Sequence, residues 1–167
     1  FLCIDTCFNS FFKDIISDSI TNIKKNLKSL NNFINFFEYY CKYYDFEKTI
    51  EYNLLAAKYY ELAQKHYHKL YALSEVASAY INKLEYPKAY DILQQLITEA
   101  TDSCDYEMIE TGNKYMITLY SATKKYAQVY DLYQSLITNN PNTIFASSTY
   151  MSIAMACAHI QRENEIN

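Results

Sequence analysis

"YDILQQLIT" at residues 90–98 and "YDLYQSLIT" at 130–138 differ at three of nine positions and lie 40 residues apart. The match extends without a gap to "LEYPKAYDILQQLIT" (84–98) and "KKYAQVYDLYQSLIT" (124–138), and "YDFEKTIEY" (44–52) falls in the same register. Phe46, Tyr86 and Tyr126 then share one slot, as do Glu51, Asp91 and Asp131, and Tyr40, Tyr80 and Tyr120. A phrase recurring at a fixed interval of this size points to stacked structural units.

Within a unit the spacing is helical. Tyr86, Ala89, Tyr90, Leu93, Ile97 and Ala100 recur in steps of three and four, with Ile92 and Leu96 as a second apolar edge. Leu70, Leu73, Ala77, Tyr80 and Ile81 mark one face of the preceding helix. A helix apolar on two sides needs neighbours on two sides, which stacking supplies. Pro87 suits a first helical turn, and "TDSCD" (101–105) and "TNNPN" (138–142) are turn-forming breaks.

The sequence has one glycine and two prolines in 167 residues. Hairpin sheets and phosphate-binding α/β folds both need turn glycines, so the chain is expected to be all-α. Eight helices are expected, over about 5–24, 27–43, 46–65, 67–83, 86–101, 105–122, 126–139 and 143–161. They make one domain over 1–167: a first helix, antiparallel pairs over 27–65, 67–101 and 105–139, and the opening helix of a fourth pair. The start at Phe1 without methionine, and "RENEIN" (162–167) read as a hinge into a further helix, predict a piece of a longer chain.

Composition narrows the function. Half the residues are apolar, a fifth are charged, and the net charge is −4. No cationic stripe appears, so nucleic-acid contact is not expected. No apolar run approaches the length of a membrane span. The five cysteines lack a C-x-x-C pair and read as small packing residues, with Cys3 and Cys7 the one pair open to a lipid or redox role. Of three histidines, His66 and His68 diverge on a helix and cannot share a metal, while His159 stands apart. Neither H-E-x-x-H nor G-x-S-x-G occurs, and Gly112 alone makes no phosphate loop. No catalytic, metal or cofactor-binding residue is nominated, and no cofactor is expected. Most of the nineteen tyrosines and nine phenylalanines belong to inward slots; Tyr39, Tyr43, Tyr59, Tyr60 and Tyr71 fit those slots least.

The middle unit's Leu73, Val76, Ala77 and Tyr80, then Tyr86, Ala89, Leu93 and Leu96, resemble the helix-pair motif of tetratricopeptide repeats, with Leu96 where that motif has a small residue. Asn113, Met116, Ile117, Tyr120, Tyr126, Val129, Tyr133 and Leu136 follow it less closely. Phe33, Phe36, Phe37, Tyr40, Phe46, Thr49, Asn53 and Ala56 do so least. The period of 40 also exceeds that family's 34. The resemblance covers about 27–161 and implies an antiparallel helix-pair solenoid, a right-handed superhelix whose first helices line a concave groove. By that pattern Asn31, Ile34, Glu38, Cys41 and Lys42 face the groove from the first pair. Tyr71, Ser74, Ser78, Ile81 and Asn82 come from the second, and Thr111, Lys114, Thr118, Ser121 and Ala122 from the third. The candidate binding residues are Glu38, Lys42, Tyr71, Ser74, Ser78, Asn82, Lys114, Thr118 and Ser121. Relatives that clamp C-terminal carboxylates place Lys, Asn and Arg where this chain has Ser74, Ser78, Lys114 and Thr118, which speaks against that role.

The expected function is a non-enzymatic scaffold that binds a protein or peptide, as a soluble domain, cytoplasmic or exported within a longer chain. A peptide-sensing regulatory domain of a transcriptional or signalling protein is the alternative. An enzyme, the third reading, would require a deep polar pocket with perturbed titrating groups. Terminal helices without their mates leave room for a homodimer.

Overall fold

The computed structural model describes residues 45–166. Among them are six helices and no strand: α1 (Phe46–Leu62), α2 (His66–Asn82), α3 (Tyr86–Asp102), α4 (Tyr106–Ala122), α5 (Tyr126–Asn139) and α6 (Ser147–Ile166). The expected helices over 5–24 and 27–43 lie outside the described residues. The first four are each 17 residues long. A three-residue turn follows each, so successive helices start twenty residues apart, half the period seen in the sequence.

The turns are alike. Gln64, Leu84, Cys104 and Lys124 hold the middle positions with φ of 56°, 62°, 54° and 58°. The next residue's N–H reaches back five residues: Lys65 to Tyr60, Glu85 to Tyr80, Asp105 to Ala100 and Lys125 to Tyr120, at 2.8–2.9 Å. The left-handed residue itself donates three residues back, as Leu84 does to Ile81 at 3.0 Å. This pair of bonds satisfies carbonyls that a helix end leaves open. Glycine usually takes the left-handed slot, and a residue with a Cβ there costs about 1–2 kcal/mol. Side-chain caps are used at two helix starts, where Asp45 accepts from the Lys48 N–H at 3.2 Å and Asp105 from the Met108 N–H at 3.1 Å.

The fourth unit departs from this stride. Proline disfavours helical backbone in the residue before it, and ahead of Pro141 Asn140 is extended (φ −143°, ψ 92°), which ends α5 after 14 residues. The Asn142 N–H then donates to Asn140 Oδ1 at 3.2 Å, and Phe145 turns into the core. As a result α6 starts at Ser147, not 143. It runs on through Ile166, so residues 162–166, where a hinge was expected, are helical. Arg162, Glu163 and Glu165 are good helix formers, and no glycine or proline stands among them.

Each helix packs on the next in sequence, and α2, α4 and α6 also touch in turn. The outer helices α1, α3 and α5 make no comparable contact with one another. The core is accordingly a chain of local clusters. Ala57 and Tyr60 of α1 meet Leu70 and Leu73 of α2 and Leu96 and Ala100 of α3. Ala77, Ala89, Leu93, Met116 and Leu119 form the next cluster, and Ile117, Val129, Leu136, Phe145, Ile153 and Ala156 the one after. Gly112 sits where α4 crosses α3: a Cβ there would lie 2.7 Å from both Ile97 Cγ1 and Leu96 Cδ2. Lys69 of α2 joins Glu61 of α1 at 2.9 Å and Glu99 of α3 at 2.7 Å.

Several expectations need correction. Tyr59 and Tyr60 are buried, 6% and 5% exposed, although they fit the inward slots poorly. Tyr60 packs in the cluster shared by α1, α2 and α3. Cys104 and Cys157 are exposed, not packed: one sits at a turn, the other on α6. No described helix is long and apolar enough to cross a membrane.

Candidate functional site

The inner row of α2, α4 and α6 follows from the register. Residues 40 apart hold equivalent places in the repeat, with Tyr71 and Thr111 in one slot and Ser78 and Thr118 in another, and α2, α4 and α6 touch in turn. Between these helices lies a cleft of about 400 Å³. Ser78, Ile81 and Asn82 enter it from α2; Thr111, Lys114, Tyr115 and Thr118 come from α4; Ala146, Ser148 and Thr149 close it at the start of α6.

Four of the nine candidate residues, Ser78, Asn82, Lys114 and Thr118, therefore meet around one cleft. Three others are placed elsewhere. Tyr71 is exposed about two turns away from Ser78 on α2. Ser74 is 1% exposed and its hydroxyl donates to the Tyr71 carbonyl at 2.7 Å, which removes it from the groove surface. Ser121 is half-buried at the end of α4 and does not line the cleft. Glu38 and Lys42 lie outside the described residues.

Lys114 is tied down. Its ammonium lies 2.6 Å from a Glu110 carboxylate oxygen, one helical turn back, and 5.7 Å from the centre of the Phe145 ring. Glu110 also accepts from Asn140 Nδ2 at 3.1 Å. The hydrogen bond from Lys114, helped by that from Asn140, holds the Glu110 carboxyl below its ordinary range against the opposing effect of burial. The ion pair neutralises the cleft's cation, so the site is polar and close to uncharged. Its hydroxyls and the Asn82 amide are the groups that exchange hydrogen bonds with a peptide backbone.

Sequence reasoning passed over Ser148, Thr149 and Tyr115. The register gave no signal for the first two, since Ser148 and Thr149 stand forty residues after Met108 and Ile109, which belong to the core. Beyond the cleft, Met151 and Met155 of α6 are 63% and 46% exposed. Residues 143–161 contain no Asp, Glu, Lys or Arg, so the exposed surface of α6 is uncharged along most of its length.

No protein-family model, curated protein or solved structure matches the chain. The site stands on its own geometry.

Proposed function

We propose that this chain is a non-enzymatic binding module, a helix-pair solenoid of the tetratricopeptide kind, that docks a protein or peptide along the inner faces of α2, α4 and α6. The cleft shared by those three helices carries the reading. Its hydroxyl and amide groups suit the backbone of a bound segment, and the neighbouring Met151 and Met155 suit an aliphatic or aromatic side chain, since methionine adapts to varied apolar partners. Because Lys114 is paired, the ligand needs no carboxylate terminus.

Selection from a displayed peptide library tests this. The peptides enriched by the native chain are expected to bind Asn82→Ala/Thr118→Val at least roughly tenfold more weakly, with the melting midpoint unchanged. Equal affinity for the double variant, or failure to enrich any sequence, overturns the proposal.

A further inference from the structure

We infer a second binding site, for a proline-rich peptide in the polyproline II conformation, in an aromatic cleft between the start of α3 and the end of α4. The register presents this junction three times, with Phe46 and Ile50, Tyr86 and Tyr90, and Tyr126 and Tyr130 in the equivalent slots. At the first, Lys83 reaches across to Glu47 and also pairs with Glu85 at 2.7 Å. At the third, His159 lies flat on Tyr126, with ring centres 4.0 Å apart and planes 10° apart. The middle junction has neither device. Thr123 replaces Lys83, Pro87 replaces Glu47, and Leu119 replaces His159. There a cleft of about 320 Å³ opens, with Tyr86, Tyr90 and Tyr120 among its walls.

The chemistry favours a ligand rich in acceptors and poor in donors. The Tyr90 and Tyr120 side chains both line the cleft, and their hydroxyls can donate to a bound acceptor. The Tyr86 hydroxyl and the Lys125 ammonium, which lies 5.6 Å from the centre of the Tyr120 ring, are further donors. The Thr123 hydroxyl is turned back onto the Leu119 carbonyl at 2.9 Å. A polyproline strand offers bare carbonyls, no N–H, and pyrrolidine rings that stack on flat aromatic walls at little ordering cost. A cationic ligand fits less well, because Lys125 already covers Tyr120. Asp91 at the rim favours a basic residue flanking the prolines.

The test is a titration of the isotope-labelled chain with a ten-proline peptide up to about 2 mM, alongside tetramethylammonium and a glycine–serine peptide. Saturable shifts of the Tyr86, Tyr90 and Tyr120 ring protons with the proline peptide alone are expected. Pro87→Glu/Thr123→Lys, which rebuilds the Lys83–Glu47 bridge at this junction, is expected to weaken binding about tenfold or more, and Tyr90→Ala serves as an independent second variant. Asn82→Ala/Thr118→Val is expected to bind normally, which separates this site from the inner cleft. The inference is overturned by no saturable shift, by shifts from tetramethylammonium instead, or by native affinity in both Pro87→Glu/Thr123→Lys and Tyr90→Ala.

Discussion

Residues 46–125 and 126–166 carry the same phrase and solve the same packing problem, yet they close their turns differently. In the first region every helix ends in a left-handed turn held by main-chain bonds, whatever side chain occupies it. In the second, Pro141 prevents that turn. The connection keeps a main-chain bond from Thr143 N–H to the Asn140 carbonyl at 3.0 Å and adds side chains: the Asn140 amide on its own turn, Phe145 in the core, and Glu110 reaching over from α4. A junction built on main-chain bonds keeps its geometry with varied side chains and carries no charge for pH to change, whereas one that leans on a carboxylate responds to pH.

The largest effect expected lies in the regular region. Leu93 is fully buried between α3 and its neighbours, and Leu93→Ala should lower unfolding free energy by about 2–5 kcal/mol. A denaturation midpoint shifted no further than by an exposed serine substitution would contradict the packing. A smaller effect of opposite sign is expected at the turns. Leu84 is 69% exposed with φ 62°, so Leu84→Gly relieves strain at little packing cost and should raise stability by about 1 kcal/mol. Unchanged or lower thermal stability would mean that the left-handed turn is not strained.

The smallest effect belongs to the irregular junction. The Glu110 carboxyl is depressed in the folded state, so its contribution is present above the unfolded pKa and is lost as pH falls through the folded value. Glu110→Gln should cost less than about 1 kcal/mol at neutral pH, and its gap from the native chain should narrow as pH falls below the ordinary carboxylate range and close below the depressed folded value. A gap that persists at low pH would assign the difference to shape rather than charge.

Much of this was legible in the sequence because burial repeats with the phrase. Leu73, Val76, Ala77, Ala89, Leu93 and Leu96 are all buried, as a forty-residue register requires. The twenty-residue stride was hidden, since left-handed turns are normally announced by glycine or asparagine and here read Gln64, Leu84, Cys104 and Lys124. Counting along the tetratricopeptide pattern selected Ser78, Asn82, Lys114 and Thr118, and these four line one cleft. It misplaced Ser74, whose small side chain lets a neighbour cover it. The pairing of Lys114 with Glu110 could have been read from their four-residue spacing. The open middle junction could not, because it appears only when three equivalent places are compared as solids.

The shared turn makes helix length a stricter constraint than helix composition. Each residue advances an α-helix by about 100°. Deleting one residue from the middle of α3 would swing everything beyond it by that angle, carrying Leu93 or Leu96 out to water while the next turn still closed on its own main-chain bonds. The array would tolerate many exchanged letters and almost no dropped ones, so its natural variation is expected to be rich in substitutions and nearly free of frame slips inside its helices.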